Sequence, residues 1–169
     1  TVQGGTLTDG TLSSTAGAIT GATTVTASGN ITGNFCVGTA TAAQYGEMAE
    51  VYSSDEEYEA GTVVKIGGSA EVTQTESHAD VDVFGVVSTS PAYLMNAEAE
   101  GLPIALAGRV PVKVIGKVAK GERLVSSDVP GVAWALGSDE YDARAVIGRA
   151  LEDKEDGDAG IIEAVIGVK

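Results

Sequence analysis

The sequence predicts an all-β protein in two parts: an N-terminal, intertwined trimeric β-helix-like shaft over residues 1–41, and a compact β-barrel or sandwich tip over 42–169. Three observations predict it. Glycine accounts for 23 of the 169 residues while aromatics are only 5%, a balance that suits turns and thin β layers. Short runs rich in Val, Ile and Thr recur at close intervals after residue 60, with no amphipathic helix pattern between them. Charge is divided along the chain: Asp9 is the sole charged side chain between Thr1 and Gly46, whereas all ten Lys and Arg follow residue 60, beginning with Lys65.

The first part carries a short repeat. Leu7, Leu12, Ile19, Val25 and Ile31 lie 5, 7, 6 and 6 residues apart, each followed directly by Thr or Ser, with Gly recurring between them. Branched side chains and Thr favour extended backbone, and Gly permits sharp bends between extended pieces. One large apolar residue in six gives a single chain too little surface to bury against its own backbone entropy. Three chains wound together solve this, each supplying one wall of a narrow core. A Gly/Thr linker is the alternative, and it would need no periodicity. These five residues are the expected core of a trimer shaft.

The second part alternates apolar and polar residues. Strands are expected at 61–66, 70–75, 81–89, 102–118, 122–127, 131–136, 143–151 and 160–168, separated by turn sequences such as "GGS", "SHAD", "AKGE", "DVPG", "GSDEYD" and "EDGDAG". Gly116 and Gly148 inside these runs predict bulges or tight corners. Two stretches break the rhythm. "TAAQYGEMAEVY" (41–52) sets Tyr45, Met48, Ala49 and Tyr52 at helical spacing, yet its surroundings fit an extended segment as well. "SPAYLMNAEAEG" (90–101) predicts an ordered loop or short helical turn, with Tyr93, Leu94 and Met95 as core or trimer contacts.

Composition excludes several functions. A formal net charge of −14 repels nucleic-acid backbones and anionic membrane, so neither is expected as a partner. The single cysteine, Cys36, leaves no intramolecular disulfide and no cysteine-based zinc cluster; it is expected as a small apolar side chain. No apolar run reaches membrane-spanning length and no signal-peptide pattern opens the chain. The chain begins in mid-pattern at Thr1, as a fragment or processed product would.

Chemistry is sparse. His78, the one histidine, falls in a polar turn and is expected at the surface, which leaves no base for a Ser-His-Asp arrangement and no zinc site. No phosphate-cradling glycine loop is present, and no cofactor is expected. The acidic runs 53–59 and 152–160 resemble calcium loops in composition but lack the alternating ligand order, so solvated carboxylates are expected there. One tryptophan, Trp134, is poor support for a sugar-cleaving cleft. On this reading the protein is not an enzyme and holds no metal.

The residues from about 39 to 168 nevertheless have a family likeness. "GVVSTSPAYLMN" (85–96) and "GRVPVKVIGKVAKGERLV" (108–125) are its most specific pieces, and the chain resembles the C-terminal region of bacteriophage tail-fibre and appendage proteins, notably of cyanophage-type contractile phages. The resemblance implies a structural virion protein on a tail fibre or other surface appendage. It implies a homotrimer that meets other virion proteins and contacts a host receptor. More distantly, the segment after residue 41 is similar to the autoproteolytic intramolecular-chaperone domain of phage appendages, whose junction has a Ser-Asp-Tyr-Ala-Glu-type sequence. In "AQYGE" (43–47) Tyr45 and Glu47 match that junction, but Ala43 replaces the serine nucleophile and Gln44 the acidic neighbour. Self-cleavage needs a hydroxyl or thiol to attack the preceding carbonyl. Ala43 has neither, so an uncleaved chain is expected. A self-processing chaperone and a capsid decoration protein are the alternatives.

Overall fold

The computed structural model describes residues 46–137 and 142–168. The expected shaft, with Leu7, Leu12, Ile19, Val25 and Ile31, lies outside them, as do Cys36, Ala43 and Tyr45. Every regular element among the described residues is a strand: β1 Met48–Tyr52, β2 Val63–Ile66, β3 Val72–Gln74, β4 Val83–Val87, β5 Tyr93–Met95, β6 Leu102–Val114, β7 Arg123–Ser126, β8 Ala133–Ala135, β9 Gly148–Ala150 and β10 Gly160–Ile166.

The long strand β6 organises the rest. Its second half pairs antiparallel with β10, from Gly108 opposite Ile166 to Val114 opposite Gly160. β10 continues to β9, β9 to β7 and β7 to β8, and β8 returns to β6 through the parallel pair Val114–Ala133. The ring β6–β10–β9–β7–β8 is thus a closed five-stranded barrel. Alternation fills its interior: Val110, Val112 and Val114 of β6 and Ile162, Ala164 and Ile166 of β10 are buried, joined by Leu124, Ala133 and Ala150. Each branched side chain so buried stabilises the fold by about 1.5–3 kcal/mol relative to exposure. Closure also removes the free edges a flat sheet would leave.

The first half of β6 belongs to a second sheet, in the order β3–β2–β4–β6–β1–β5. Val64, Val72, Val87 and Ile104 form its core, with Tyr52 set edge-on to Phe84 at 4.9 Å. This sheet curls until β3 meets the residues after β1. The Val72 amide donates to the Ser53 carbonyl at 3.1 Å, and the Glu71 carboxylate accepts from the Ser53 amide and hydroxyl at 2.8 and 2.9 Å.

The handover between the two sheets falls at Gly108, whose φ of 110° suits only glycine. A Cβ there would lie 1.7 Å from the Gly46 carbonyl oxygen, so the chain entering β1 runs directly against the bend. Gly148 is a close-packing position instead: a Cβ would meet the Val165 carbonyl oxygen at 2.1 Å.

Several expectations need correction. The run 41–52, open between helix and strand, holds the strand β1 over residues 48–52, and residues 47, 49 and 51 are buried. The segment 90–101 holds β5 rather than a plain loop or helical turn, and Tyr93 and Leu94 are exposed rather than core. β6 stops at Val114, not 118, because Gly116 turns the chain at φ 82°; Val118 then pairs across to Lys154. In 143–151 only residues 148–150 are a strand, since Asp142 accepts the Arg144 amide at 2.9 Å and makes a turn of the start.

The bend generates a prediction. Gly108→Ala should lower stability by at least about 2 kcal/mol, from backbone strain and the collision with Gly46. Gly46→Ala meets nothing within 4 Å and should stay within about 0.5 kcal/mol of wild type. Urea denaturation of both variants checks this; equal effects would contradict the bend.

Candidate functional site at the β1–β5 edge

β5 is short and pairs with β1 alone, in parallel register from Met48 opposite Tyr93 to Glu50 opposite Met95. The Tyr93 amide donates to the Glu47 carbonyl at 3.1 Å, and the Asn96 side-chain amide donates to the Val51 carbonyl at 3.3 Å. These bonds hold the strand in place while leaving its large side chains outward. Tyr93 is 73% exposed, the most exposed large apolar side chain among the described residues, with Met48 and Leu94 also exposed. Gly46, Glu47, Met48, Ala92, Tyr93, Ala107 and Gly108 line a shallow concavity between them. It is an apolar face on a strongly acidic chain.

Behind that face sits Glu47, the residue matched to the junction motif. It is 5% exposed, and its Oε1 is buried without a hydrogen-bond partner. The position lies one residue before β1 and continues the inward alternation of Ala49 and Val51, with its carbonyl held by the Tyr93 amide. Glu47 also lines a cleft of about 140 Å³ with Thr89, Ser90, Arg109, Pro111 and Glu163. Arg109 stands at the rim, half exposed and 3.9 Å from Glu163. A buried carboxylate with no donor costs several kcal/mol unless a cation or proton reaches it.

The other residues singled out in the sequence are scattered. His78 is half-buried rather than a bare surface residue: its ring lies edge-on to Trp134 at 4.9 Å, and its amide donates to the Asp128 carboxylate at 3.1 Å. In the acidic loop 152–160 the side chains of Glu152, Asp153, Glu155, Asp156 and Asp158 are exposed, as expected of solvated carboxylates, and Asp156 together with backbone carbonyls meets the Lys154 ammonium. That group donates to the Gly116 and Asp156 carbonyls at 3.3 and 3.0 Å, and to the Asp156 carboxylate and Asp158 carbonyl. The chain supplies its own cation where a metal loop would bind one. Among the described residues no three His, Cys, Asp or Glu side chains converge as metal ligands would, and no helix is long and apolar enough to cross a membrane.

Sequence reading missed one polar centre. Asp80, on the turn before β4, accepts the Lys65 ammonium at 3.0 Å, the Ser77 hydroxyl at 3.2 Å and the Asp82 amide at 3.0 Å, while its own amide donates to the Ser126 hydroxyl. It ties β2 and the turn before β4 to β7. Burial pushes the Asp80 carboxyl up, but the Lys65 hydrogen bond and the Asp82 amide outweigh it and hold the group below its ordinary value. The Asp80 hydrogen bond likewise raises Lys65. The turn "SHAD" signalled a loop; nothing local signalled that its aspartate would point inward.

Compared with known proteins, the chain matches no family model and no curated protein.

The Asp80 centre generates a pH prediction. A lowered carboxyl stabilises the fold above its unfolded pKa, and that gain is lost as pH falls through the folded value. The raised Lys65 gain is present below its unfolded pKa and lost at higher pH, so the pair acts between about pH 4 and about pH 10. Asp80→Asn should therefore cost about 1–3 kcal/mol at pH 7, with the gap to wild type closing below about pH 4. Denaturation at pH 7 and pH 3 measures it, and a gap independent of pH would contradict the assignment.

Proposed function

We propose that this chain is a structural virion protein, the trimeric end of a phage tail fibre or surface appendage, whose β-rich tip brings three chains into register and presents them to the host. The observation that carries the reading is the outward apolar face of Met48, Tyr93 and Leu94 on a chain of net charge −14. A surface of that kind marks a place where a protein meets another surface rather than solvent. The repeat at Leu7 to Ile31 supports it from the sequence, since those residues have no means of burial in one chain. The family likeness of residues 85–96 and 108–125 supports placement on the virion. The mechanism is topological. Three weakly associating N-terminal segments lose less entropy on pairing when a folded tip holds their ends at high effective concentration.

Self-cleavage is the competing class of reading, and one observation favours it: Glu47 is a buried carboxyl at the matched junction. It still lacks a partner nucleophile, because position 43 is alanine. A carboxylate can take up a proton, but nothing at Ala43 supplies an electron pair to attack the preceding carbonyl.

Sedimentation of the full chain tests the proposal. The expected result is the mass of three chains, with intact-mass spectrometry of the same sample giving one uncleaved species after prolonged incubation. A single-chain mass across micromolar concentrations would overturn the structural reading. New termini between Thr41 and Glu47 in protease-free protein would favour the self-processing one.

A further inference from the structure

We propose that residues 89–101, which carry β5, form a strap that opens as a unit from β1 while the barrel and the rest of the curled sheet stay folded, and that Glu47 sets how often it opens. The inference stands on the fold and does not depend on the trimer reading. No residue from Thr89 to Gly101 is buried, so the segment adds little apolar burial to either core. Its bonds are few: the Tyr93 amide donates to the Glu47 carbonyl at 3.1 Å, the Asn96 side-chain amide donates to the Val51 carbonyl at 3.3 Å, and β5 pairs with β1 alone among the described strands. Its roots are fixed. The Ser88 amide donates to the Pro103 carbonyl at 2.8 Å and Val87 pairs with Ile104, so the strap leaves and rejoins the sheet between neighbouring strands. When β5 lifts, β1 keeps its antiparallel partner β6. The strap is also strained at Asn96, whose φ of 54° is a left-handed conformation that an L side chain holds at a cost.

Glu47 supplies the tendency to open. The strap borders it twice: Thr89 and Ser90 line one cleft with it, and Ala92 and Tyr93 line the neighbouring concavity with it. Its Oε1 is closed off from water and has no donor, while Arg109, the cation of that cleft, lies half exposed beside Glu163 at 3.9 Å. A carboxyl stripped of water without a donor raises the energy of the closed state, and lifting the strap returns water to it. Removing the carboxyl should therefore hold the strap shut. Loss of a stabilising polar contact would have the opposite sign.

The test is native-state hydrogen exchange of the full chain at a series of low urea concentrations, wild type beside Glu47→Met and Asn96→Ala. In the wild type the Tyr93 amide should be at least about a hundredfold less protected than the amides linking Val110 and Ala164, with little urea dependence, while those linking Ala49 and Ala105 keep the protection of the barrel. Glu47→Met should slow Tyr93 exchange at least about tenfold. Asn96→Ala, at an exposed position, should speed it about tenfold. A Tyr93 amide that opens only with the barrel, at the same free energy and urea dependence, would overturn the strap. A Glu47→Met chain whose Tyr93 exchange is unchanged or faster, or whose fold is lost, would overturn the part given to Glu47.

Discussion

The bend of β6 at Gly108 is the constraint on which the rest of the fold depends. Up to that residue the strand is a member of the curled sheet, opposite β1 and β4; beyond it the same strand is a stave of the barrel, opposite β10 and β8. One continuous backbone therefore fixes the register of both layers. A slip of one residue in β6 would turn Val110, Val112 and Val114 out of the barrel and Ile104 out of the sheet core at once. The bend requires a residue without Cβ, because the chain entering β1 lies against it.

That arrangement explains where polar groups end up. The barrel closes on itself and spends its edges, and the curled sheet brings β3 round to the residues after β1, which leaves β5 as the strand with one neighbour. Internal ions secure the loops: Asp80 with Lys65 beside the paired strands β2 and β4, Lys154 within its own acidic loop. In both cases a charge that looks solvent-directed in the sequence is neutralised by the chain itself. Glu47 differs from both. It is buried one residue before β1, and no donor among the described residues meets Oε1.

The strand pattern was legible in the sequence because period-two burial leaves a direct imprint on residue type, as "VPVKV" in β6 and "IEAVI" in β10 illustrate. β1 was hidden for an identifiable reason: its inward positions are Ala49 and Val51, preceded by the buried Glu47, and a glutamate or an alanine does not announce an inward face. β5 was hidden because its side chains point outward and its pairing is set by distant β1, not by local alternation. The end of β6 depended on the φ of Gly116, which sequence marks as permitted but not as used. Of the candidate site residues, Glu47 was singled out through a family likeness, whereas Arg109 and Glu163 meet it only through the pairing of β6 with β1 and β10, and Tyr93 through that of β5 with β1. Loops 77–80 and 152–160 read correctly as turns; that Asp80 meets Lys65 is a long-range result no local pattern carries, whereas Lys154 meets Asp156 within its own loop.

Native-state hydrogen exchange across β6 tests the central claim most directly. If one strand locks both layers, the amides linking Val86 and Ala105 in the sheet and those linking Val110 and Ala164 in the barrel should exchange by the same global opening, with one free energy and one denaturant dependence. Exchange of the sheet amides at distinctly lower free energy, with the barrel amides still protected, would show two layers that open independently and would contradict it.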